Sequence, residues 1–198
     1  MKYVNQKKYP DWIYITRAGM EGELKETGRT TTISSSGCGL CSSVMVLDRL
    51  IPESKFELED AIQLSYDAKA NLSWGTDFEV LAPALAEKYG LELEMSNEPE
   101  RLRYCLQTGG VAVLHAKGDR ADYVGVFSHG GHYAVAISEE RDGRIAVLDP
   151  SYLEGKYEEE GRKGLVEMKN DFIALCDINV IIEDTAPADI SFFLFWRK

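Results

Sequence analysis

Two cysteines stand three residues apart in "SSSGCGLCSSVMVLDRL", Ser34 to Leu50, at the start of a segment with helical periodicity. A C-x-x-C pair at a helix start permits three chemistries. It can be a redox dithiol, half of a zinc site, or one nucleophile with a neighbour that only fills space. A thioredoxin-like dithiol needs a buried strand running straight into the motif. The residues before Cys38 are "TTISSSG", too polar for such a strand. A zinc site would join Cys38 and Cys41 to His129 and His132, two sulfurs and two imidazoles. The H-x2-H spacing is short for that pattern, and the insertion between the pairs is long.

The nucleophile reading uses the residues best. A thiolate is the reactive form, and the positive end of a helix stabilises it. Cys38 falls in the first turn, where backbone N–H groups have no intrahelical partner. Gly37 and Gly39 beside it leave room for a substrate to approach. Cys41 lies one turn deeper on the apolar side and reads as a small core residue.

Such a nucleophile needs a base, and the chain has three histidines. His115 sits inside the apolar run "VAVLHA" and reads as a satisfied core histidine. His129 lies on a loop, and His132 opens the strand "HYAVAIS". The next strand, "RIAVLDP", ends at Asp149. A tight turn on Glu140-Arg141 sets His132 opposite Asp149. A four-residue loop over Glu140–Gly143 makes Asp149 its diagonal neighbour, still on the same face. A three-residue loop would turn one of the two away. On one face, the carboxylate would fix the imidazole tautomer and stabilise its cation.

The elements that must carry these residues follow from periodicity. Leu40, Val44, Leu47 and Ile51 mark a helix that Pro52 stops. A second helix is expected over Leu58–Ala70. A third spans "GTDFEVLAPALAEKYG", capped by Thr76 with Glu79, stopped by Gly90 and carrying Pro83 inside. A fourth lies in "NEPERLRYCLQTGG", capped by Asn97 and stopped by Gly109. The period then changes to two. Val111–Lys117, His132–Ser138 and Arg144–Pro150 read as strands, and "CDINVIIED" and "SFFLFW" add two more. Helices first and strands later predict an α+β fold, with N-terminal helices packed on an antiparallel sheet. The 198 residues suit one domain: an arm and loop over 1–37, with turn formers Gly19, Gly22 and Gly28, a helical part over 38–108, and a sheet part over 110–198.

The formal net charge of −11 argues against nucleic acid as a partner, and the glutamate runs read as a solvated face. No apolar run reaches the ~18 residues of a membrane span, so no membrane insertion is expected. "MKYVNQKKYPDWIYITRAGM" lacks the apolar stretch of a signal peptide, which implies a cytoplasmic chain or a mature secreted fragment. Four cysteines in a chain of this length do not make a disulfide-built fold.

From about residue 5 to residue 152 the chain resembles the papain-like cysteine peptidases related to the double-glycine leader peptidases that process bacteriocins. "SSGCGLCSSVMVL" resembles their glycine-flanked cysteine opening a helix. "GTDFEVLAPALAEKYGL" resembles their Gly-Thr entry to a helix ending in Tyr-Gly-Leu. "FSHGGHYAVAIS" and "GRIAVLDPS" resemble a "GGH" strand and a strand ending in Asp-Pro, and "VNQKKYPDW" resembles the N-terminal arm. The resemblance implies a papain-like fold, Cys38 as nucleophile, His132 as general base and Asp149 as orienting acid. It also implies a peptide or protein substrate and no cofactor. Leu40 and Cys41 replace the usual Pro-Thr. Thr32 stands where those peptidases carry a glutamine that donates to the oxyanion. The Cys38 backbone N–H can supply part of an oxyanion hole, with Thr32, Ser34 or Ser36 as the second donor. A catalytically impaired, peptide-binding module is the alternative that the missing glutamine raises.

Overall fold

A computed structural model describes residues 1–17, 29–72 and 75–198. Gly19, Gly22 and Gly28 lie outside the described residues. The arm before them is more ordered in kind than a plain loop. A 3-10 turn at Gln6–Lys8 leads to β1 (Ile13–Thr16), which pairs antiparallel with β2 (Arg29–Thr32). A one-turn helix, α1 (Ile33–Ser36), and Gly37 then separate β2 from α2 (Cys38–Leu50). Leu40, Val44 and Leu47 on α2 are fully buried, as their spacing requires. Each such side chain contributes about 1.5–3 kcal/mol by leaving water.

Next come α3 (Leu58–Asp67), β3 (Asn71–Leu72), β4 (Gly75–Thr76) and α4 (Phe78–Tyr89). The second helix stops three residues short of Ala70, because Lys69 turns into the left-handed region at φ 59°. The α4 cap is Asp77, whose carboxylate accepts from the Glu79 N–H; Thr76 instead sits in β4, with its hydroxyl on Tyr14. Pro83 lies on the exposed side of α4 without ending it. Gly90 ends α4 in the left-handed conformation.

The helical half also holds a strand that the helical reading passes over, β5 (Leu91–Ser96). After it come α5 (Pro99–Gln107), β6 (Val111–Ala116), β7 (His132–Glu139) and β8 (Ile145–Leu148). Asn97 does not cap α5, since Glu98 holds that place; the Asn97 amide tethers Asp189 and Ser191 instead. The tail adds β9 (Val166–Met168), β10 (Ile173–Cys176), α6 (Ile178–Thr185) and β11 (Phe192–Arg197). Most of "CDINVIIED" is thus a helix and not a strand. Asp177 accepts from the Asn179 N–H as its cap, and Ile178 and Ile181 bury one face.

Seven strands form one antiparallel sheet in the order β5-β11-β6-β7-β8-β10-β9. Helices cover both faces. Val111, Val113, Val135 and Ile137 pack with the core of α2, α3 and α4. Ala112, Leu114, Ala134 and Ala136 pack with α5 and α6. Burial on both faces explains why these strands read as nearly continuous apolar runs. The fold is α+β, as expected, with helices on both sides of the sheet.

The β7–β8 hairpin has the three-residue loop that should have separated His132 from Asp149. The Glu140 N–H donates to the Arg144 carbonyl at 2.8 Å, around Arg141, Asp142 and Gly143. Glu139 then pairs with Ile145 and Ser138 with Ala146. Between Ala136 and Ser138 the register shifts, leaving Ile137 as a bulge, and Ala136 pairs with Val147. One extra residue flips the parity a second time. Continued to the strand ends, this register makes Asp149 the diagonal neighbour of His132, on the same face.

Candidate active site

Cys38 is the first residue of α2 and is partly exposed. Burial pushes the Cys38 thiol up. Interaction with the neighbouring His132 side chain, its imidazolium charge, and the backbone N–H groups of Tyr133 and Gly39 outweigh that and hold it below the ordinary thiol value. His132 is buried, and its Nε2 lies 2.8 Å from Asp149 Oδ1. Nδ1 is therefore the ring nitrogen left for the sulfur. Desolvation opposes the imidazolium, but Asp149 and Cys38 favour it more, and the His132 pKa is pushed up to about 9. Both shifts favour a thiolate beside an imidazolium.

Asp149 is 1% exposed and fully engaged. Oδ1 also accepts from the Ser151 N–H at 2.8 Å and the Ser151 hydroxyl at 3.0 Å. Oδ2 accepts from Lys156 Nζ and from the Tyr157 hydroxyl at 2.7 Å. Burial pushes the carboxyl up, but Lys156 and His132 hold it well below the usual carboxylate range.

The other candidates separate. Cys41 is fully buried, and burial pushes its thiol far up, as does the neighbouring Cys38 charge. His129 turns to Asp119 at 2.9 Å and to Glu159 at 3.5 Å, on the surface. Among the described residues no cluster of three or more His, Cys, Asp or Glu side chains could hold a metal ion. His115 stacks on Tyr133 with its Nδ1 3.2 Å from the Ile190 carbonyl, and burial lowers its pKa to about 4. A Cβ on Gly39 would lie 2.9 Å from Thr76 Cβ, and one on Gly37 2.7 Å from Ile33, so the bareness of both glycines lets α2 close on its own chain.

Two clefts meet at the cysteine. One, of about 450 Å³, is lined by Cys38 and His132 with Gln6, Ser36, Ser151 and Lys156. The other, of about 540 Å³, is lined by Cys38 and His132 with Thr76, Asp77, His115 and Lys117. Of the three expected oxyanion donors, Ser36 reaches the first cleft, with its hydroxyl 2.8 Å from Thr31 Oγ1. Thr32 and Ser34 are outside both linings. The Thr32 hydroxyl lies 3.4 Å from Ser35 Oγ. The Ser34 carbonyl accepts from Gln6 Nε2 at 2.9 Å and from Lys7 Nζ at 3.1 Å.

Gln6 is the residue that sequence reasoning missed. It is buried in the wall of the first cleft, and one amide hydrogen is spent on Ser34, which leaves the second to donate. Its sequence signal is the arm "VNQKKYPDW", where it stands 32 residues before Cys38, and only the fold brings it to the cysteine. Lys156 and Tyr157 were missed too, since only folding brings the tail onto Asp149.

No protein-family model matches this sequence, and no curated protein matches it. The structure is similar to the crystal structure of a protein described as a putative C39-like peptidase from Bacillus anthracis. The TM-score is 0.52 at 9% sequence identity, covering 82% of this chain and 89% of that one. The chain thus shares its overall fold with that protein. Among the described residues, no helix is long and apolar enough to cross a membrane.

Proposed function

We propose that this chain is a papain-like cysteine hydrolase cleaving a peptide or related amide bond, with Cys38 as nucleophile, His132 as acid–base and Asp149 as the group that orients it. The observation that carries this reading is the His132–Asp149 hydrogen bond of 2.8 Å, with Cys38 sharing both clefts with His132. Similarity of fold to a C39-like peptidase supports it.

In this reading the Cys38 thiolate attacks the carbonyl carbon. The oxyanion that forms accepts from the Cys38 N–H, at the positive end of α2, and from the Gln6 amide. The His132 imidazolium then gives its proton to the leaving amine, and the C–N bond breaks to leave a thioester on Cys38. Neutral His132 next takes a proton from water, which attacks the thioester, and the thiolate departs with the imidazolium restored. Asp149 stays ionised throughout. A cleft on either side of Cys38 suits a chain that continues beyond both sides of the scissile bond.

The test is incubation with a proteome-derived peptide mixture, read by mass spectrometry, with Cys38→Ala as control. New termini that appear with the native chain and not with the variant are expected. A reactive Cys38 that cuts nothing, with peptides retained on the protein, would replace this reading by a peptide-binding one.

A further inference from the structure

Lys156 is 9% exposed, an unusual place for an ammonium group. Its Nζ lies 2.5 Å from Asp149 Oδ2 and 2.7 Å from Ser151 Oγ. Ser151 Oγ is in turn 3.2 Å from His132 Nε2. The carboxylate is therefore divided, with one oxygen toward His132 and the other toward Lys156. The groups facing this centre come from four places. They are Cys38 on α2, His132 on β7, the segment after β8 with Ser151, Lys156 and Tyr157, and the arm, whose Tyr3 hydroxyl donates to the Asp149 carbonyl at 2.6 Å; farther out the same cleft is lined by Lys7, Glu154, Glu159 and Arg162, two charges of each sign, and by His129. The two tyrosines are held neutral, because burial and the Asp149 charge raise both.

Charge counting gives Lys156 a role. With His132 an imidazolium and Asp149 a carboxylate, loss of the Cys38 proton takes the sum from zero to −1, at a centre where His132 is 4% and Asp149 1% exposed. An uncompensated charge is costly there. The Lys156 ammonium brings the sum to zero.

Resting on the hydrolase reading above, we propose that Lys156 is a positioning residue that balances the charge of the Cys38–His132–Asp149 series and so keeps the thiolate–imidazolium form stable at neutral pH. Its hydrogen bonds go to Asp149 and Ser151, and it acts through Asp149. Removing it raises the proton affinity of every group it faces, Cys38 included. Removing the carboxylate as well restores the balance.

The experiment follows Cys38 alkylation by iodoacetamide against pH in the native chain, Lys156→Met, Lys156→Arg, and Lys156→Met with Asp149→Asn, with folding checked by circular dichroism. The acidic limb in Lys156→Met is expected to move up by about one pH unit or more. Lys156→Arg keeps the native limb, and the double variant returns toward it. A Lys156→Met profile that superposes on the native one, or a double variant no closer to native than the single, overturns the proposal and leaves the catalytic reading standing. A native Cys38 that titrates like a free thiol overturns both. Should Lys156→Met not fold, the native chain still decides. The 15N resonance of Lys156 Nζ is expected to shift when Cys38 becomes a neutral thioether, and an unmoved resonance overturns the proposal.

Discussion

His132 Nε2 and Asp149 Oδ1 are 2.8 Å apart, held on one face of the sheet by the single-residue bulge at Ile137. The contact sets how stability depends on pH. His132 has its pKa raised to about 9, so its contribution is complete below the unfolded imidazole value of about 6.5 and is lost as pH rises through about 9. Asp149 is lowered, so its contribution is present above the unfolded carboxyl value of about 3.9 and is lost as pH falls. Thermal melts are expected to place maximal stability between about pH 4 and 6.5. Asp149→Asn should flatten both slopes. Equal pH dependence in native and variant chains would deny the coupling.

Activity should follow a different profile. It requires the Cys38 thiolate and the His132 imidazolium together. Peptide cleavage is expected to rise through the lowered thiol pKa and to fall near pH 9, where His132 loses its proton. A rate that keeps climbing above pH 9 would mean that no imidazolium proton is used.

Gly39→Ala tests how α2 is seated. The new methyl must meet Thr76 and Phe78, the latter wedged against Tyr133 and Phe193 at ring distances of 5.1 and 5.0 Å. We expect a loss of about 1–3 kcal/mol in stability, read by denaturant unfolding, and slower Cys38 alkylation. Unchanged values would show that the helix start tolerates displacement.

Gln6→Ala addresses the oxyanion. Loss of one donor should lower kcat by about 100-fold or more with little change in KM, while Cys38 alkylation, which forms no oxyanion, stays near native. A drop in KM-controlled binding alone would assign Gln6 to substrate contact.

Much of the site was legible because it rests on local rules. A glycine-bounded helix start placed Cys38, and period-two strands placed His132 and Asp149. What escaped depends on distant parts of the chain. The alternation of Leu91, Leu93 and Met95 was there to see, but β5 acquires its place only by pairing with β11, about a hundred residues later. α6 hid behind its β-branched residues, which favour strands, until the Asp177 cap decided otherwise. The bulge at Ile137 has no sequence mark at all. The expectation that His132 and Asp149 share a face held, although the loop has the length that should have parted them.

The central claim is that His132 makes Cys38 a thiolate. It is tested most directly by the rate at which stoichiometric iodoacetamide labels Cys38 at pH 6, located by mass spectrometry, in the native chain and in His132→Ala. At that pH a free thiol of pKa about 8.5 is less than about one per cent ionised. Labelling of the native Cys38 is expected to be at least about tenfold faster than that of a free thiol, with the excess lost in the variant. Equal and slow labelling in both would contradict it.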